Sequence, residues 1–384
     1  MSNSGNTAAS SSGADRHPRR SRPKYKTVYD SLLRSIRRGD YPPGGKLPTE
    51  TELMAQFNVS RITVIRALRD LQAADVVRRR HGSGSYVREP NPSNLLRIGL
   101  LFPRLLEPDS IFTVLHQTLT SESQKRGWQI LFQEISDECN PPQAIRTLDR
   151  LAHSGARGVL YLPLPTTEEY AQVNDAVAAG CAERHLALIL LDRDIHHLFN
   201  RSQFDLVASD NGSGGFLAAR HLIQRDCRRI VFLSGAWEHP TVEARLEGAR
   251  RAVAGASTVE LAAFSSDGED IMVVRDILAR HHPDGVICAN DLTAAKLLRT
   301  LFQSGVQVPR EIKLIGFDDT PTASLLPVPL TTIRQAADEM AIQAMNVMHQ
   351  RLNRPEMPAI TVNIACTLIA RASTALGASG PSHK

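Results

Sequence analysis

The sequence predicts an α/β protein in two parts: a small domain of three helices closed by a two-stranded hairpin, and a larger body of two doubly wound parallel-sheet lobes. Three observations predict it. Charge divides along the chain, since the first 97 residues hold 18 Lys and Arg against 8 Asp and Glu while the other 287 hold 27 against 32. Helix-period apolar stripes separated by turn residues fill 24–71. From Leu95 onward, short apolar runs alternate with helix-sized segments, the pattern of parallel strands covered on both faces.

Residues 1–22 are Ser, Gly, Ala and Arg with little to bury, and are expected to be a disordered basic tail. The domain at 23–88 begins with "TVYDSLLRSIRRG", which places Val28, Leu32 and Ile36 on one face and stops at Gly39. After the turn "DYPPGGKLP", Thr49 and Glu52 have capping-box spacing and open a second helix, with Leu53, Met54 and Phe57 inward. Asn58 and Val59 make the next turn. "SRITVIRALRDL" is the third helix, with Ser60 as its N-cap and Val64, Ala67, Leu68 and Leu71 as one apolar stripe. "VVRRR" and "SYVRE" then read as strands around a glycine turn. "EPNPSN", residues 89–94, is a Pro- and Asn-rich linker, 95–375 is the body, and 376–384 is a second disordered tail.

The body carries the apolar runs "LRIGLLF", "WQILFQ", "GVLYLP", "LALILLD", "FDLVASD", "RIVFLSG", "GVICAN" and "IKLIGFDD". So many strands exceed one sheet, and two lobes with a cleft between them accommodate them. Such sheets bind ligands at the carboxyl ends of their strands.

At 42% hydrophobic and 22% charged, the 384 residues have an ordinary globular composition. No apolar run reaches the roughly 20 residues that span a bilayer, and the start lacks an apolar signal core, so a cytoplasmic protein is expected. Five scattered cysteines without a CxxC pair point to reduced thiols, with no disulfide framework and no zinc site. Neither glycine cluster is a phosphate loop. "HGSGSYV" precedes no helix, and "SDNGSGGFLAARHL" lacks both the P-loop Lys and a GxGxxG, so it reads as a helix start near the lobe crossing.

The third helix poses the functional question. Ile62 lies opposite its apolar stripe and Ile65 well off it, with Arg61, Arg66 and Arg69 among them. In a helix-turn-helix the second helix of the pair enters the major groove. Arginine can grip a guanine edge and an apolar side chain can meet a thymine methyl. Ile62 and Ile65 become thymine readers, Arg61 contacts a base or phosphate, and Arg66 and Arg69 steer. Coverage of another helix or a dimer contact is the competing reading of the two isoleucines.

The stretch "YPPGGKLPTETELMAQFNVSRITVIRALRDLQAADVVRRRHGSGSYV" resembles the winged helix-turn-helix domain of the GntR family in its LP-S/T-E-x-E-L, VSR-x-T-V-x-x-AL-x-x-L and G-x-G-x-x-V elements. The resemblance implies a homodimer on double-stranded operator DNA, with Ser60, Arg61 and Thr63 at the duplex and the wing tip at His81 and Gly82 in the minor groove. The candidate DNA set adds Thr49, Thr51, Ile62, Ile65, Arg66, Arg78 and Ser83. Thr51 and Ile65 depart from the arginines many members carry there, which puts any borrowed operator in doubt.

"HLIQRDCRRIVFLSG", "ARLEGARRAV", the run from Pro283 to Met345 and "TLIARAST" are similar to the effector-binding domain of the LacI/GalR family, built like periplasmic binding proteins. The resemblance implies a small ligand, often a sugar, between the lobes. It carries Arg245, Asp291, Asp192 and Phe112 over as ligand-binding positions, and Trp237 is placed to stack on an apolar sugar face. "FDD", Phe317 to Asp319, is taken as structural, and Trp128 as packing in the first lobe.

These readings make a transcription regulator, a repressor without a cofactor, whose ligand shifts DNA affinity. The linker lacks the hinge helix of LacI-type repressors. Two alternatives stay open: a GntR head on a pyridoxal-phosphate enzyme body, which needs a Schiff-base lysine in a motif that Lys125, Lys296 and Lys313 do not show, and a transport binding protein, which conflicts with the basic head.

Overall fold

The structure, a computed structural model, describes residues 23–74, 76–80, 83–88, 95–103, 110–135, 139–197, 200–235 and 239–375. The expected tails, the linker, His81, Gly82 and Trp237 lie outside the described residues. The chain divides into two compact units, 1–94 and 95–384.

The first unit holds α1 (Lys24–Arg38), α2 (Glu50–Phe57) and α3 (Arg61–Ala73), then β1 (Val77–Arg80) paired antiparallel with β2 (Gly84–Val87). Gly39 ends α1 in the left-handed region at φ 86°, returning its amide to the last turn. The capping box is present: Thr49 Oγ1 accepts the Glu52 amide while Glu52 Oε2 accepts the Thr49 amide at 2.7 Å. Val28, Leu32, Leu53 and the predicted α3 stripe bury against Leu47, Val77 and Val87. Ser60 departs from expectation in one respect. It holds the N-cap position, but its hydroxyl pairs with Thr63 Oγ1 at 3.0 Å and caps no amide.

Among its described residues the second unit has two six-stranded sheets. The first lobe contains β3 (Leu96–Pro103), β4 (Trp128–Ile135), β5 (Ala156–Tyr161), β6 (Ala187–Leu191), β7 (Asp205–Ser209) and β13 (Thr361–Ile364), ordered β13-β7-β6-β5-β3-β4. Its helices are α4 (Ile111–Arg126), α5 (Pro141–His153), α6 (Glu168–Glu183) and α12 (Ala337–Asn353). The second lobe contains β8 (Arg229–Leu233), β9 (Glu260–Phe264), β10 (Gly285–Cys288), β11 (Lys313–Asp318), β12 (Thr331–Arg334) and β14 (Thr367–Ile369), ordered β14-β12-β11-β10-β8-β9. Around it lie α7 (Asn211–Ile223), α8 (Pro240–Ala254), α9 (Ile271–His281), α10 (Asp291–Gln303) and α11 (Pro321–Leu325).

The central strand β6 is apolar throughout, and β5 is buried from Gly158 to Tyr161, because helices cover both faces. The sheets are not wholly parallel: β14 runs antiparallel to β12 at one edge. The chain crosses between lobes three times, from β7 to α7, from β12 to α12, and from β13 to β14. Trp128 packs in the first lobe beside His349, at 5.9 Å between ring centroids. All five cysteines are free, and four are buried.

Candidate nucleic-acid interface and ligand cleft

On α3 the apolar stripe is buried and the opposite side is open. Ile62 is 79% exposed and lies between the exposed Arg61 and the half-buried Thr63. Ile65 is half-buried, so it presents less of itself than Ile62 does. The Arg66 guanidinium lies 3.9 Å over the Tyr25 ring, which holds it against α1. Thr49 is occupied in the capping box, Thr51 is exposed two residues along, and Arg78 is exposed on β1. Ser83 is exposed, and its hydroxyl pairs with the Tyr86 hydroxyl at 2.7 Å.

Two residues outside the predicted set join this face. Glu50 accepts from Arg61 Nε at 3.0 Å through one oxygen and from Arg79 through the other. The carboxylate at the start of α2 thus braces α3 and β1 together. An acid at a helix N-terminus reads from sequence as a dipole partner, so its bridging role left no separate signal.

In the second unit, the carboxyl ends of β6 and β11 and the start of α8 bring charged side chains of both lobes together. Arg245 is 6% exposed, although an arginine on a helix ordinarily faces water. It donates from Nε to Asn211 Oδ1 at 2.8 Å and from Nη1 to the Ala289 carbonyl, and it stacks 3.7 Å over Phe317. Its Nη2 lies 3.9 Å from Asp318 Oδ1. The glycines of "NGSGG" explain how α8 comes so close: a Cβ on Gly215 would stand 1.8 Å from the Arg245 carbonyl oxygen, and one on Gly248 1.9 Å from that of Gly212. They serve helix contact, and the helix start expected at Asp210 and Asn211 is present.

Asp192 sits at φ 65° and is 4% exposed, a left-handed position uncommon outside glycine. Its Oδ2 faces Arg193 Nε at 3.1 Å, while Oδ1 accepts no hydrogen bond among the described residues. Arg193, 8% exposed, lies 5.6 Å from the Phe112 ring centroid. Asp291 opens α10, where both carboxylate oxygens are taken: Thr332 Oγ1 donates to one at 2.6 Å and the Thr320 amide to the other at 2.8 Å. Burial pushes its carboxyl up to about 6 against those two bonds. Asp318 is pushed up to about 7 by burial, opposed by Arg245 and reinforced by Asp291. Gln335 donates to Asp318 Oδ1 at 2.6 Å, and its buried Oε1 has no partner among the described residues.

Arg193, Asp318 and Gln335 therefore belong with the predicted Asp192, Arg245 and Phe112. Within "FDD", Asp318 has φ 112° and its carboxyl lines a cavity beside Gln335. A cavity of about 250 Å³ opens beside Asp192, Arg193, Ser209 and Thr241, and another of about 150 Å³ beside Asp318, Gln335 and Ser110. Among the described residues no cluster fit to hold a metal ion occurs. No described helix is long and apolar enough to cross a membrane.

Comparison with known proteins matches residues 24–87 to the gntR family of bacterial regulatory proteins and 219–374 to the periplasmic binding protein-like domain. The chain is 27% identical over 345 residues to an arabinose metabolism transcriptional repressor of Geobacillus stearothermophilus, covering 86% of this chain and 92% of that protein. It is 28% identical over 282 residues to the ribose operon repressor of Bacillus subtilis (strain 168), covering 72% and 80%. Among solved structures, a complex of the transcriptional regulator CelR with cellobiose shares the fold at a TM-score of 0.62 and 22% identity, over 82% of this chain and 91% of that one. The pyridoxal-phosphate reading finds no support in these likenesses.

Proposed function

Because the chain joins a head of the gntR family to a periplasmic-binding-protein-like body of the LacI/GalR type, we propose that it is a dimeric, sequence-specific transcriptional repressor whose operator affinity is set by a sugar or sugar derivative held between the lobes. It is a regulator and not an enzyme, as the arabinose and ribose repressors it resembles are. Its place of work is the cytoplasm, where operator DNA is found.

The observation that carries the effector assignment is the pairing of buried acceptors with buried guanidinium groups. Among the described residues Asp192 Oδ1 and Gln335 Oε1 find no donor, whereas Arg193 and Arg245 both supply N–H groups. A compact molecule with vicinal hydroxyls donates to the first pair and accepts from the second, and Phe112 offers an apolar face. Arg245, Asp192, Arg193, Asp318 and Gln335 are its contacts, and Asp291 orders the cleft floor through Thr320 and Thr332.

On the head, Arg61, Ile62 and Thr63 read the major groove, with Ser60 and Thr51 beside them. Arg78 and Arg79 follow the backbone, and the wing approaches the minor groove.

Selection of bound duplexes from a random pool, together with thermal-shift screening against pentoses, hexoses and their phosphates, tests the reading. It expects one enriched palindromic motif and at least one stabilising sugar. A pool without an enriched motif sinks the head assignment, and a panel without a stabilising compound sinks the cleft assignment.

A further inference from the structure

A hydrogen-bonded pair spans the lobes at the cleft. Arg193, in the segment after β6, places Nη1 2.8 Å from His239 Nδ1 and 3.3 Å from its Nε2, so the ring accepts from the guanidinium. His239 occupies the N-cap position of α8 in the other lobe, yet its side chain caps no amide there. An arginine can only donate, so the imidazole must offer a lone pair. An imidazolium has none, and would set a second cation against the guanidinium. We propose that His239 is a positioning residue that latches the two lobes through Arg193, and does so only while its imidazole is neutral.

The surroundings favour the neutral form. Arg193 and Arg245 both face the ring, and with burial as the larger cause they hold His239 down to about 2 from its ordinary 6.5. Asp192 is engaged with Arg193, Asp318 lies toward Arg245, and one turn along α8 Glu243 faces His197 at 3.6 Å. When the lobes part, the ring returns to water and regains its ordinary proton affinity. His239 therefore favours the closed form fully above pH 6.5, and that contribution is lost as pH falls below it, because only the open form takes up the proton. From pH 7.5 to 5.5 the closed-to-open ratio falls about tenfold from this group alone. Asp318 and Asp291, both pushed upward, act in the opposite sense. His239→Gln isolates the effect, since its amide oxygen accepts from Arg193 but does not titrate.

The inference concerns the cleft of the proposed function, but its test uses neither DNA nor effector, so the two stand or fall separately. In the full chain, dyes on non-natural residues at the exposed positions Gln124 of α4 and Arg275 of α9 report lobe separation by energy transfer. Wild type is expected to lose about tenfold in closed-to-open ratio relative to His239→Gln between pH 7.5 and 5.5. His239→Ala is expected to stand open at both. Identical pH profiles for wild type and the Gln variant overturn the latch, as does an Ala variant as closed as wild type at pH 7.5. If the Ala variant does not fold, the Gln comparison decides alone.

Discussion

Arg61 Nε donates to Glu50 Oε2 at 3.0 Å while Arg79 holds the other oxygen of the same carboxylate. Both arginines are well exposed, so the pairs add little stability, on the order of 0.5 kcal/mol or less. Their consequence is positional and electrostatic. One acid restrains two cations on the proposed DNA face and partly cancels their charge.

Glu50→Gln should therefore leave folding nearly unchanged but strengthen binding to unrelated duplexes. The log–log salt slope should steepen by about 1 to 2, because two freed guanidinium groups can each displace a counterion. Fluorescence anisotropy across a salt series measures it, and an unchanged slope would show that Glu50 does not restrain them.

Ile62 and Arg78 should differ in kind. Ile62→Ala removes a side chain that is 79% exposed, so stability should hold while preference at one A·T position relaxes by about 1 kcal/mol. Arg78→Ala should weaken all sequences alike and lower the salt slope by about 1. Parallel losses on every duplex for both variants would refute Ile62 as a base reader.

Gly215→Ala places a methyl 1.8 Å from the Arg245 carbonyl and should cost about 2–4 kcal/mol as α7 and α8 separate. Gly255→Ala, whose Cβ would meet only the Ala252 carbonyl oxygen at 3.5 Å, is the control and should stay within about 1 kcal/mol of wild type. Urea unfolding distinguishes them. Equal stability would mean that the two helices can yield.

Much of this was legible in the sequence. The α3 stripe, the Thr49–Glu52 capping box and the apolar runs of β3, β6 and β8 follow from periodicities that burial imposes. Strands β9, β12, β13 and β14 were not: β12, β13 and β14 interleave Thr, Asn or Arg with their apolar residues, and the short "LAAF" of β9 does not stand out from neighbouring helical segments. Arg245, Asp192 and Phe112 came from resemblance. The partners Arg193, Asp318 and His239 depend on which strand ends converge, and one-dimensional spacing does not encode that. Glu50 escaped for the same reason, as its arginines stand 11 and 29 residues away.

Asp318 should govern part of the pH dependence of stability. Its carboxyl is raised from 3.8 to about 7 by burial, so the folded chain holds that proton more tightly than the unfolded chain. The resulting stabilisation is complete below pH 3.8 and is lost as pH rises toward 7. Asp318→Asn lacks this dependence, so between pH 4 and 8 its stability should rise relative to wild type, whatever the constant offset. Parallel stability curves in chemical denaturation would show that the carboxyl is not shifted.

The central claim is that one molecule couples duplex reading to a guest in the cleft, and linkage makes that coupling reciprocal. The decisive measurement is a closed cycle on the full chain at fixed salt: operator affinity with and without a sugar that binds, and affinity for that sugar with and without operator. The account predicts that both affinities change by the same factor, about 5- to 150-fold if the coupling is of ordinary size. A sugar that binds the cleft while operator affinity stays constant would contradict it.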